Sequence, residues 1–170
     1  MINNILVLTR HDSVHEISSL VKSFCNKLDI ASLDISNCEL HTKYDLIISY
    51  CYAPIIKNQF INNCQCPIVN VHPTYLPFGR GIYPIVWASL CKHPFGVSLH
   101  LIDSEGIDSG AIISREKVEL NPRVTLRDAR EILMMHSRIL LKRFLKTYEN
   151  NRSISSIPQN ELGKKQEYKN

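Results

Sequence analysis

Short apolar runs that alternate with helix-like segments are the feature that most constrains the fold of this chain. The runs at 5–9 and 45–50 are only five or six residues long, as expected for strands buried inside a parallel sheet. Between such runs, apolar side chains recur at helical spacing, for example from residue 14 to residue 28. Strands that alternate with helices predict an α/β fold with a doubly wound, mostly parallel, Rossmann-like sheet.

The predicted elements fill one domain. A chain of 170 residues suits a single α/β domain, which we place at residues 1–149. Thr125 and Asp128 have the spacing of a capping box at the start of the longest helix. The polar segment at 150–170 is expected to be a frayed C-terminal tail. We expect strands at 5–9, 30–35, 45–50, 67–72, 96–102 and 111–120, and helices at 14–28, 54–60, 83–91 and 125–148.

Composition narrows the possible functions. Apolar residues make up 44% of the chain, so a real core can be buried, and the net charge of +4 is not gathered into one basic stripe. We therefore expect no nucleic-acid partner. No apolar stretch approaches the ~20 residues that span a bilayer, and the N-terminus lacks the basic flank of a signal peptide. These observations predict a cytoplasmic protein with no membrane partner.

Two common kinds of binding site are not indicated by the sequence. The six cysteines lack the spacing of a disulfide framework, and Cys64 and Cys66 supply only two metal ligands without a second matching pair. We expect free thiols and no metal. The loop at 9–13, after the first strand, contains no glycine, so it matches neither a dinucleotide fingerprint nor a P-loop.

Residues with catalytic chemistry lie where predicted strands end. Asn70 and His72 alternate onto the same side of a strand, about 7 Å apart along the chain, and an amide donor beside an imidazolium suits an oxyanion. Asp108 lies between Gly106 and Gly110 and can raise the pKa of a facing histidine. For each feature the residues alone leave a second interpretation, a strand end or turn whose side chains satisfy loop backbone groups.

Taken together, several segments resemble one known family. Asn-Val-His-Pro at 70–73 is followed by Leu-Pro at 76–77, Arg-Gly at 80–81, Gly-Val-Ser at 96–98 and Asp-Ser-Gly-Ala-Ile-Ile at 108–113. In this order they resemble the formyltransferases that use 10-formyltetrahydrofolate, and the resemblance covers residues 45–148. It implies transfer of a formyl group from 10-formyltetrahydrofolate, as co-substrate, to a small-molecule primary amine.

The resemblance also implies roles for individual residues. Asn70 and His72 would stabilise the oxyanion as the amine attacks, and Asp108 would hold His72 charged and help to move the amine proton. A cis peptide is expected at Leu76–Pro77. One folate wall would be formed by Tyr52, Ala53, Pro54, Ile55 and Ile56, and the other by Ile102, Asp103, Gly106 and Ile107. The acceptor would contact Thr74, Tyr75, Leu76, Pro77, Arg80, Gly81 and Trp87.

Departures from the family pattern guide the choice of acceptor. The segment 80–87, an Arg-Gly loop leading to a Pro-x-x-Trp helix, is closest to the branch that acts on amino sugars carried by nucleotides. The N-terminal half is short by a β–α unit and lacks the glycine-rich phosphate loop of the glycinamide ribonucleotide enzymes. We also expect none of the C-terminal domain by which methionyl-tRNA enzymes grip tRNA. An amino-sugar acceptor is therefore favoured.

Several alternatives stay open. They are a glycinamide ribonucleotide or methionyl-tRNA acceptor, hydrolysis of 10-formyltetrahydrofolate, and folate binding without catalysis. His100 lies on a strand and is interpreted as a core histidine in preference to a catalytic one, while Trp87 fits a core position on its helix as well as a substrate contact. The helix at 125–148 leaves a homodimer open.

Overall fold

A computed structural model describes residues 1–35 and 43–162 of the chain. In this part of the chain, six strands form one sheet and four α-helices connect or cover them. The strands are β1 (Ile2–Thr9), β2 (Cys25–Ala31), β3 (Leu46–Tyr50), β4 (Ile68–His72), β5 (Gly96–Leu101) and β6 (Ile112–Lys117). The helices are α1 (Val14–Lys22), α2 (Asn58–Asn63), α3 (Pro84–Leu90) and α4 (Leu126–Asn151).

The strand order is β2-β1-β3-β4-β5-β6. The pairs β1–β2, β1–β3 and β3–β4 are parallel, whereas β5 runs antiparallel to both β4 and β6. The prediction of a doubly wound, mostly parallel sheet is confirmed. Because β5 runs against β4, the loop that follows β5 starts beside the first residue of β4, where Ile102 donates its N–H to the Ile68 carbonyl at 2.8 Å.

Alternation along the strands builds an apolar cluster on each face of the sheet. One cluster joins the sheet to α1 and α4, with members such as Val7, Val69 and Leu133. The second cluster joins the opposite face to α2 through Phe60 and Ile68. Helices therefore cover both faces, and the sheet between them supplies a rigid base for its loops.

The polar residues of β4 and β5 share one face of the sheet. The two valines of β4 belong to the cluster under α4, so Asn70 and His72 point to the other face. The β4–β5 register pairs Asn70 with His100 and His72 with Ser98. Four polar side chains are thus brought to one patch, as alternation predicted for Asn70 and His72.

The start of α4 confirms the predicted capping box. Thr125 is the N-terminal cap, and its Oγ1 accepts the N–H of Asp128 at 3.2 Å. The Thr125 hydroxyl in turn donates to the Asp128 carboxylate at 2.7 Å. This exchange satisfies one of the amide groups that a helix leaves unpaired at its first turn.

The first helix is shorter than predicted, and the second strand begins earlier. α1 ends at Lys22, and β2 occupies Cys25–Ala31 rather than 30–35. The predicted helix to residue 28 is wrong because Cys25–Ala31 pairs with β1 from end to end, which satisfies backbone groups on that side of β1. The helical spacing of Phe24 and Leu28 was misleading, since Phe24 packs on the first cluster from the turn after α1 and Leu28 packs on it from β2.

α2 also begins later than predicted, at Asn58 rather than Pro54. Residues 51–57 form a loop after β3, which Cys51 opens in a left-handed conformation with φ 53°. Proline is favoured at the first position of a helix, as at Pro84 of α3, but a proline alone does not require a helix to begin there. Ile56 and Phe60 both reach the second cluster, so the segment buries its apolar side chains without a helix at Pro54.

The segment after α4 returns to the sheet. α4 reaches Asn151, and Ile157 then exchanges two backbone hydrogen bonds of 2.8 and 2.9 Å with Ile112. Gln159 is only 3% exposed. The expectation of fraying from residue 150 is therefore wrong for residues 150–160. The polar composition of this segment gave no indication of these long-range contacts. Residues 163–170 lie outside the described residues, and the domain boundary at 149 stays a prediction.

Candidate active site

The loop after β4 is held against the sheet by β5 and β6. Ser98 of β5 accepts the N–H of Leu76 at 3.0 Å and donates its hydroxyl to the Thr74 carbonyl at 2.7 Å. Arg115 of β6 donates to the Leu76 carbonyl at 2.5 Å, and its guanidinium lies 4.3 Å from the centre of the Tyr75 ring. The loop that carries the predicted acceptor residues is therefore fixed by two neighbouring strands.

His72 is buried at the end of β4, and its two ring nitrogens face different acceptors. Nε2 lies 2.8 Å from the carbonyl oxygen of Gly79. Because a carbonyl can only accept, Nε2 carries a proton. Nδ1 lies 3.5 Å from Oδ2 of Asp108. In the neutral ring, Nδ1 is therefore the basic nitrogen, and it faces a carboxylate.

Asp108 joins groups from three segments of the chain. Its backbone is left-handed, with φ 50°, and its side chain is 13% exposed. Oδ2 accepts the Gly81 N–H at 2.9 Å and faces His72. Oδ1 accepts from Nδ2 of Asn70 at 3.2 Å and lies 3.5 Å from Nε2 of His100. The three predicted catalytic residues therefore meet at one carboxylate.

Asn70 uses both of its amide hydrogens inside this network. Nδ2 lies 3.2 Å from Oδ1 of Asp108 and 3.0 Å from Nε2 of His100. His100 directs Nδ1 at the Leu101 carbonyl, 2.7 Å away, so Nδ1 holds the proton and Nε2 accepts from Asn70. An oxyanion that binds to Asn70 must displace one of these two acceptors.

His100 differs from the preferred sequence interpretation. It is 1% exposed, as expected for a core histidine. Its polar contacts, however, are to Asn70 and Asp108, so it belongs to the network of the candidate site. The pairing of Asn70 with His100 across β4 and β5 is the signal that would have found it, but strand neighbours were not assigned from the sequence.

Burial and charge oppose each other at His72 and Asp108. Burial lowers the pKa of His72 below its usual value and outweighs the Asp108 carboxylate, which acts to raise it. Burial acts to raise the pKa of Asp108, but His72 in its protonated form, the contacts with His100 and the Gly81 N–H together hold it far below its usual range. The prediction that Asp108 keeps His72 charged is therefore wrong, because desolvation is the larger effect.

This arrangement suits the transfer of one proton. A proton that arrives at Nδ1 of His72 creates an imidazolium whose N–H faces the Asp108 carboxylate, so the ion pair forms as the proton arrives. Asn70 supplies an amide donor on the same face of the sheet. A base, a carboxylate beside it and a neutral donor are the groups that attack of an amine on a carbonyl carbon requires.

The two predicted folate walls border the same apolar cluster. Tyr52 and Ile56 pack against the second cluster from the loop after β3, and Ile102 packs against it from the loop after β5. The Tyr52 hydroxyl donates to the Leu33 carbonyl at 2.7 Å, which fixes the first wall. Pro54 and Asp103 are half-buried, whereas Ala53, Ile55, Gly106 and Ile107 are exposed. Folate contact by these residues stays a prediction.

The predicted acceptor residues divide into supporting and accessible positions. Thr74 and Leu76 are 1% and 0% exposed, and Pro77 is buried after a cis Leu76–Pro77 peptide, which was predicted. These side chains shape the loop from inside. The Tyr75 ring lies beside the cations of Arg115 and Lys117. The more accessible members are Arg80, Gly81 and Trp87, of which Trp87 is 38% exposed.

Gln159 is a residue of the site that the sequence did not indicate. Its Oε1 accepts from Nε and Nη2 of Arg80 at 2.9 and 2.5 Å. Its Nε2 donates to the carbonyls of Asp108 and Gly110 at 2.9 and 2.8 Å. A single glutamine in a polar segment carries no periodic or spacing signal, so sequence reasoning had no means to find it.

The cysteine pair lies away from this site, in the connection from α2 to β4. The Sγ atoms of Cys64 and Cys66 are 3.5 Å apart. Within residues 1–35 and 43–162, no three side chains of His, Cys, Asp or Glu are grouped so that they could hold a metal ion. Across the same ranges, no helix combines the length and apolar character needed to cross a membrane.

Sequence and fold together identify the class of protein. Residues 31–150 match the family model described as formyl transferase, which is most of the chain. The chain therefore belongs to the formyltransferase family, as the motifs at 70–113 predicted.

Among solved structures, the formyltransferase PseJ from Anoxybacillus kamchatkensis, determined with UDP-4,6-dideoxy-4-formamido-L-AltNAc and tetrahydrofolate, is 27% identical. That alignment covers 92% of this chain and 81% of PseJ, with a TM-score of 0.80. A phosphoribosylglycinamide formyltransferase from Bacillus halodurans shares the fold at 18% identity, with 89% of this chain and 97% of that chain covered and a TM-score of 0.73.

Curated relatives include enzymes with two kinds of acceptor in their names. Methionyl-tRNA formyltransferase from Alkaliphilus oremlandii is 31% identical over 119 residues, which cover 69% of this chain and 38% of the relative. A dTDP-4-amino-4,6-dideoxyglucose formyltransferase from Mycobacterium bovis is 33% identical over 79 residues, which cover 46% and 32%. The chain spans about a third of the length of the curated relatives that it matches.

Proposed function

We propose that this chain transfers the formyl group of 10-formyltetrahydrofolate to a primary amine on an amino sugar carried by a nucleotide. The observation that carries the proposal is the meeting of Asn70, His72 and Asp108 at hydrogen-bonding or ion-pairing distance. A cytoplasmic location and a homodimer stay predictions of the sequence.

The proposed reaction begins with attack of the amine nitrogen on the formyl carbon. A C–N bond forms, and an electron pair of the carbonyl moves onto its oxygen. Asn70 donates to this oxyanion after it exchanges one of its present acceptors, Asp108 or His100. Nδ1 of His72 accepts the proton that the amine loses, and Asp108 stabilises the resulting imidazolium.

Collapse of the intermediate completes the transfer. The electron pair on oxygen re-forms the carbonyl, and the bond between the formyl carbon and N10 of the folate breaks. The proton held by His72 passes to N10, directly or through a water. The products are the formamide of the acceptor and tetrahydrofolate, and the site regains neutral His72.

The folate is proposed to lie between the loops at 51–57 and 102–107. Support comes from the apolar cluster that both loops border through Tyr52, Ile56 and Ile102. Further support is the tetrahydrofolate named in the PseJ structure, whose chain is 27% identical to this one. Aromatic and aliphatic walls of this kind suit a flat, partly apolar ligand.

An amino-sugar nucleotide is the favoured acceptor because PseJ was determined with a formamido sugar nucleotide, which is the formylated form of such an acceptor. Methionyl-tRNA is the second candidate, because the curated relatives at 28% and 31% identity carry that name. The two acceptors differ greatly in size and charge, so a direct comparison of turnover separates them.

The experiment follows tetrahydrofolate formation from 10-formyltetrahydrofolate, without acceptor and then with amino-sugar nucleotides, glycinamide ribonucleotide or methionyl-tRNA. Turnover with an amino-sugar nucleotide that is lost in His72→Ala supports the proposal. Formate release without amine would identify a hydrolase. Folate binding without turnover on any acceptor would identify a binding protein and overturn the proposed transfer.

A further inference from the structure

We propose that Gln159 is a positioning residue, which holds the loop of Asp108 and the loop of Arg80 together as one unit. Its effect on turnover rests on the proposed function, whereas its effect on loop geometry does not. Gln159 lies in the short segment after α4, outside every motif that defined the site.

The side-chain amide of Gln159 is used completely. A glutamine amide offers two hydrogens and two oxygen lone pairs. Both hydrogens are directed at the carbonyls of Asp108 and Gly110, and Oε1 receives two donors from Arg80. The residue is 3% exposed, so these bonds are shielded from water and their loss would leave buried groups unpaired.

Gln159 binds the end of a loop whose backbone is left-handed at one residue and tightly packed against a strand at another. Asp108 holds a left-handed backbone, with φ 50°, which an aspartate adopts only when its surroundings hold it there. Gly110 lies so close to β5 that a Cβ on it would be 1.9 Å from the Leu101 carbonyl oxygen. Gln159 binds the carbonyls of both residues, and so restrains the backbone that aims the Asp108 carboxylate.

The other end of Gln159 restrains Arg80. Arg80 precedes Gly81, whose N–H binds Asp108 at 2.9 Å. Burial lowers the pKa of Arg80, while the charges of Asp108 and Asp103 act to raise it. Oε1 of Gln159 accepts from two guanidinium nitrogens of Arg80, and so restrains the side chain of the residue that precedes Gly81.

Two substitutions distinguish the contribution of the bonds to Arg80 from that of the bonds to the Asp108 loop. Gln159→Glu keeps acceptors for Arg80 but turns a carboxylate towards two carbonyls, which releases the Asp108 loop. Gln159→Met removes both sets of bonds at similar volume. We expect kcat to fall by about 10- to 100-fold in both, as for a misplaced catalytic group. KM for the acceptor should rise in Gln159→Met alone, because only this variant frees Arg80.

Hydrogen exchange provides a readout that does not need turnover. The amides of residues 106–112 should exchange faster in both variants, while exchange in β1 and β3 stays unchanged. Asn160→Ala, at the exposed neighbouring position, is the matched control and should alter neither measurement. Gln159→Asn, which is shorter by one methylene and cannot reach both loops, replaces either variant that fails to fold.

The outcomes are separable. Wild-type kcat together with wild-type exchange of residues 106–112 in the Gln159 variants would overturn the proposal. An equal rise in exchange throughout the sheet would also overturn it, because the residue would then be a general stabiliser. If the wild-type protein turns over no amine, the proposed function fails, and the exchange data alone decide the role of Gln159.

Discussion

Asp108 shows how one side chain can depend on several weak constraints. Its carboxylate contacts Asn70, His72, Gly81 and His100, and none of these residues is adjacent to it in sequence. His72 in its protonated form, the contacts with His100 and the Gly81 N–H favour the ionised carboxylate, and together they overcome the cost of burial. A charge held in this way is ready for a proton that arrives on His72.

Substitution of Asp108 should therefore lower kcat strongly and lower the affinity for folate much less. In Asp108→Asn, the neutral amide no longer stabilises protonated His72, and we expect kcat to fall by ~10²–10³, as for other single groups that stabilise a transition state. Steady-state kinetics with whichever acceptor supports turnover would measure it. The control is Glu105→Gln, which removes a charge from an exposed position of the same loop; an equal loss in both variants would refute the role of Asp108.

The lowered pKa of His72 leads to a second prediction, which concerns how the free energy of unfolding depends on pH. Because the folded pKa lies below the unfolded value of about 6.5, the unfolded chain binds more protons in the window beneath that value. The free energy of unfolding should therefore decrease as the pH falls from 7.5 to 5.5. His72→Gln should lose less stability over this interval. Urea titrations of both proteins at the two pH values test this, and parallel losses would contradict it.

The residue scale also shows where sequence reasoning reached its limit. Asn70, His72 and Asp108 were assigned correctly to one place, because their motifs come in a family order. The charge state of His72 was not predicted correctly, because it depends on how deeply the ring is buried, and no sequence motif encodes that packing. His100 and Gln159 were missed because their roles arise from strand pairing and from a long-range return of the chain.

At the scale of elements, loops are fixed by close approach to the strands beside them. Gly110 ends the Asp108 loop directly against β5. Ala at this position has no space, because the obstacle is backbone rather than a flexible side chain. The register of β5 with β6 shifts between Leu99 and His100, close to this contact in the chain.

We expect Gly110→Ala to lower the free energy of unfolding by more than ~2 kcal/mol, in the upper range of overpacking effects. Gly81→Ala is the matched comparison, because a Cβ there meets nothing within 4 Å and only its φ of +85° is unfavourable. That variant should lose about 1 kcal/mol from backbone strain. Chemical denaturation ranks the two, and a smaller loss for Gly110→Ala would show that the loop can move away from β5.

The cap of α4 should contribute measurably to stability. Thr125→Ala removes the oxygen that accepts the Asp128 N–H, and we expect a loss of ~1 kcal/mol. Thr147→Ala on the same helix is the control: its hydroxyl bonds back to the Arg143 carbonyl, and alanine is the better helix former. Thermal unfolding of both should show a lower Tm for Thr125→Ala alone.

Element boundaries were predicted well where a chemical signal marks them and poorly where only apolar spacing does. The capping box located the start of α4. By contrast, the apolar spacing from residue 14 to 28 is shared by a helix and by the strand that follows it, and only the partner strand β1 decides between them. Pro54 likewise marked a turn rather than a helix.

In the molecule as a whole, the start of β1 and the end of α4 are linked by hydrogen bonds to Asp45, the residue before β3. Tyr148, near the end of α4, donates its hydroxyl to the Asp45 carbonyl at 3.0 Å. The Asp45 carboxylate accepts the backbone N–H groups of Asn3 and Asn4 at 2.9 Å each. The start of β1, the start of β3 and the end of the longest helix therefore meet at one residue.

Tyr148→Phe tests this junction. The side chain is 6% exposed, so removal of its hydroxyl leaves a shielded carbonyl with one donor fewer, and we expect a loss of about 1 kcal/mol. Tyr83→Phe, at a position that is 73% exposed, should be unchanged within error. Equal unfolding midpoints for the two variants would show that the Tyr148 bond does not couple the ends.

The fold class could be predicted because alternating strands and helices allow few arrangements. The direction of β5 could not, since a strand in either direction presents the same alternation. That direction matters for the site, because it places the start of the Asp108 loop beside Ile68 and makes the loop reach back towards Asn70.

The return of Gln159 to the Asp108 loop also sets an order of events during synthesis. Its partners Gly110 and Arg80 precede it by 49 and 79 positions. At translation rates of ~5–20 residues per second, residue 159 is made roughly 2 to 10 seconds after residue 110. All six strands, the last of which ends at Lys117, are synthesised before residue 159. The nascent polypeptide can therefore begin to assemble its sheet first, and the Asp108 loop gains its contacts with Gln159 later.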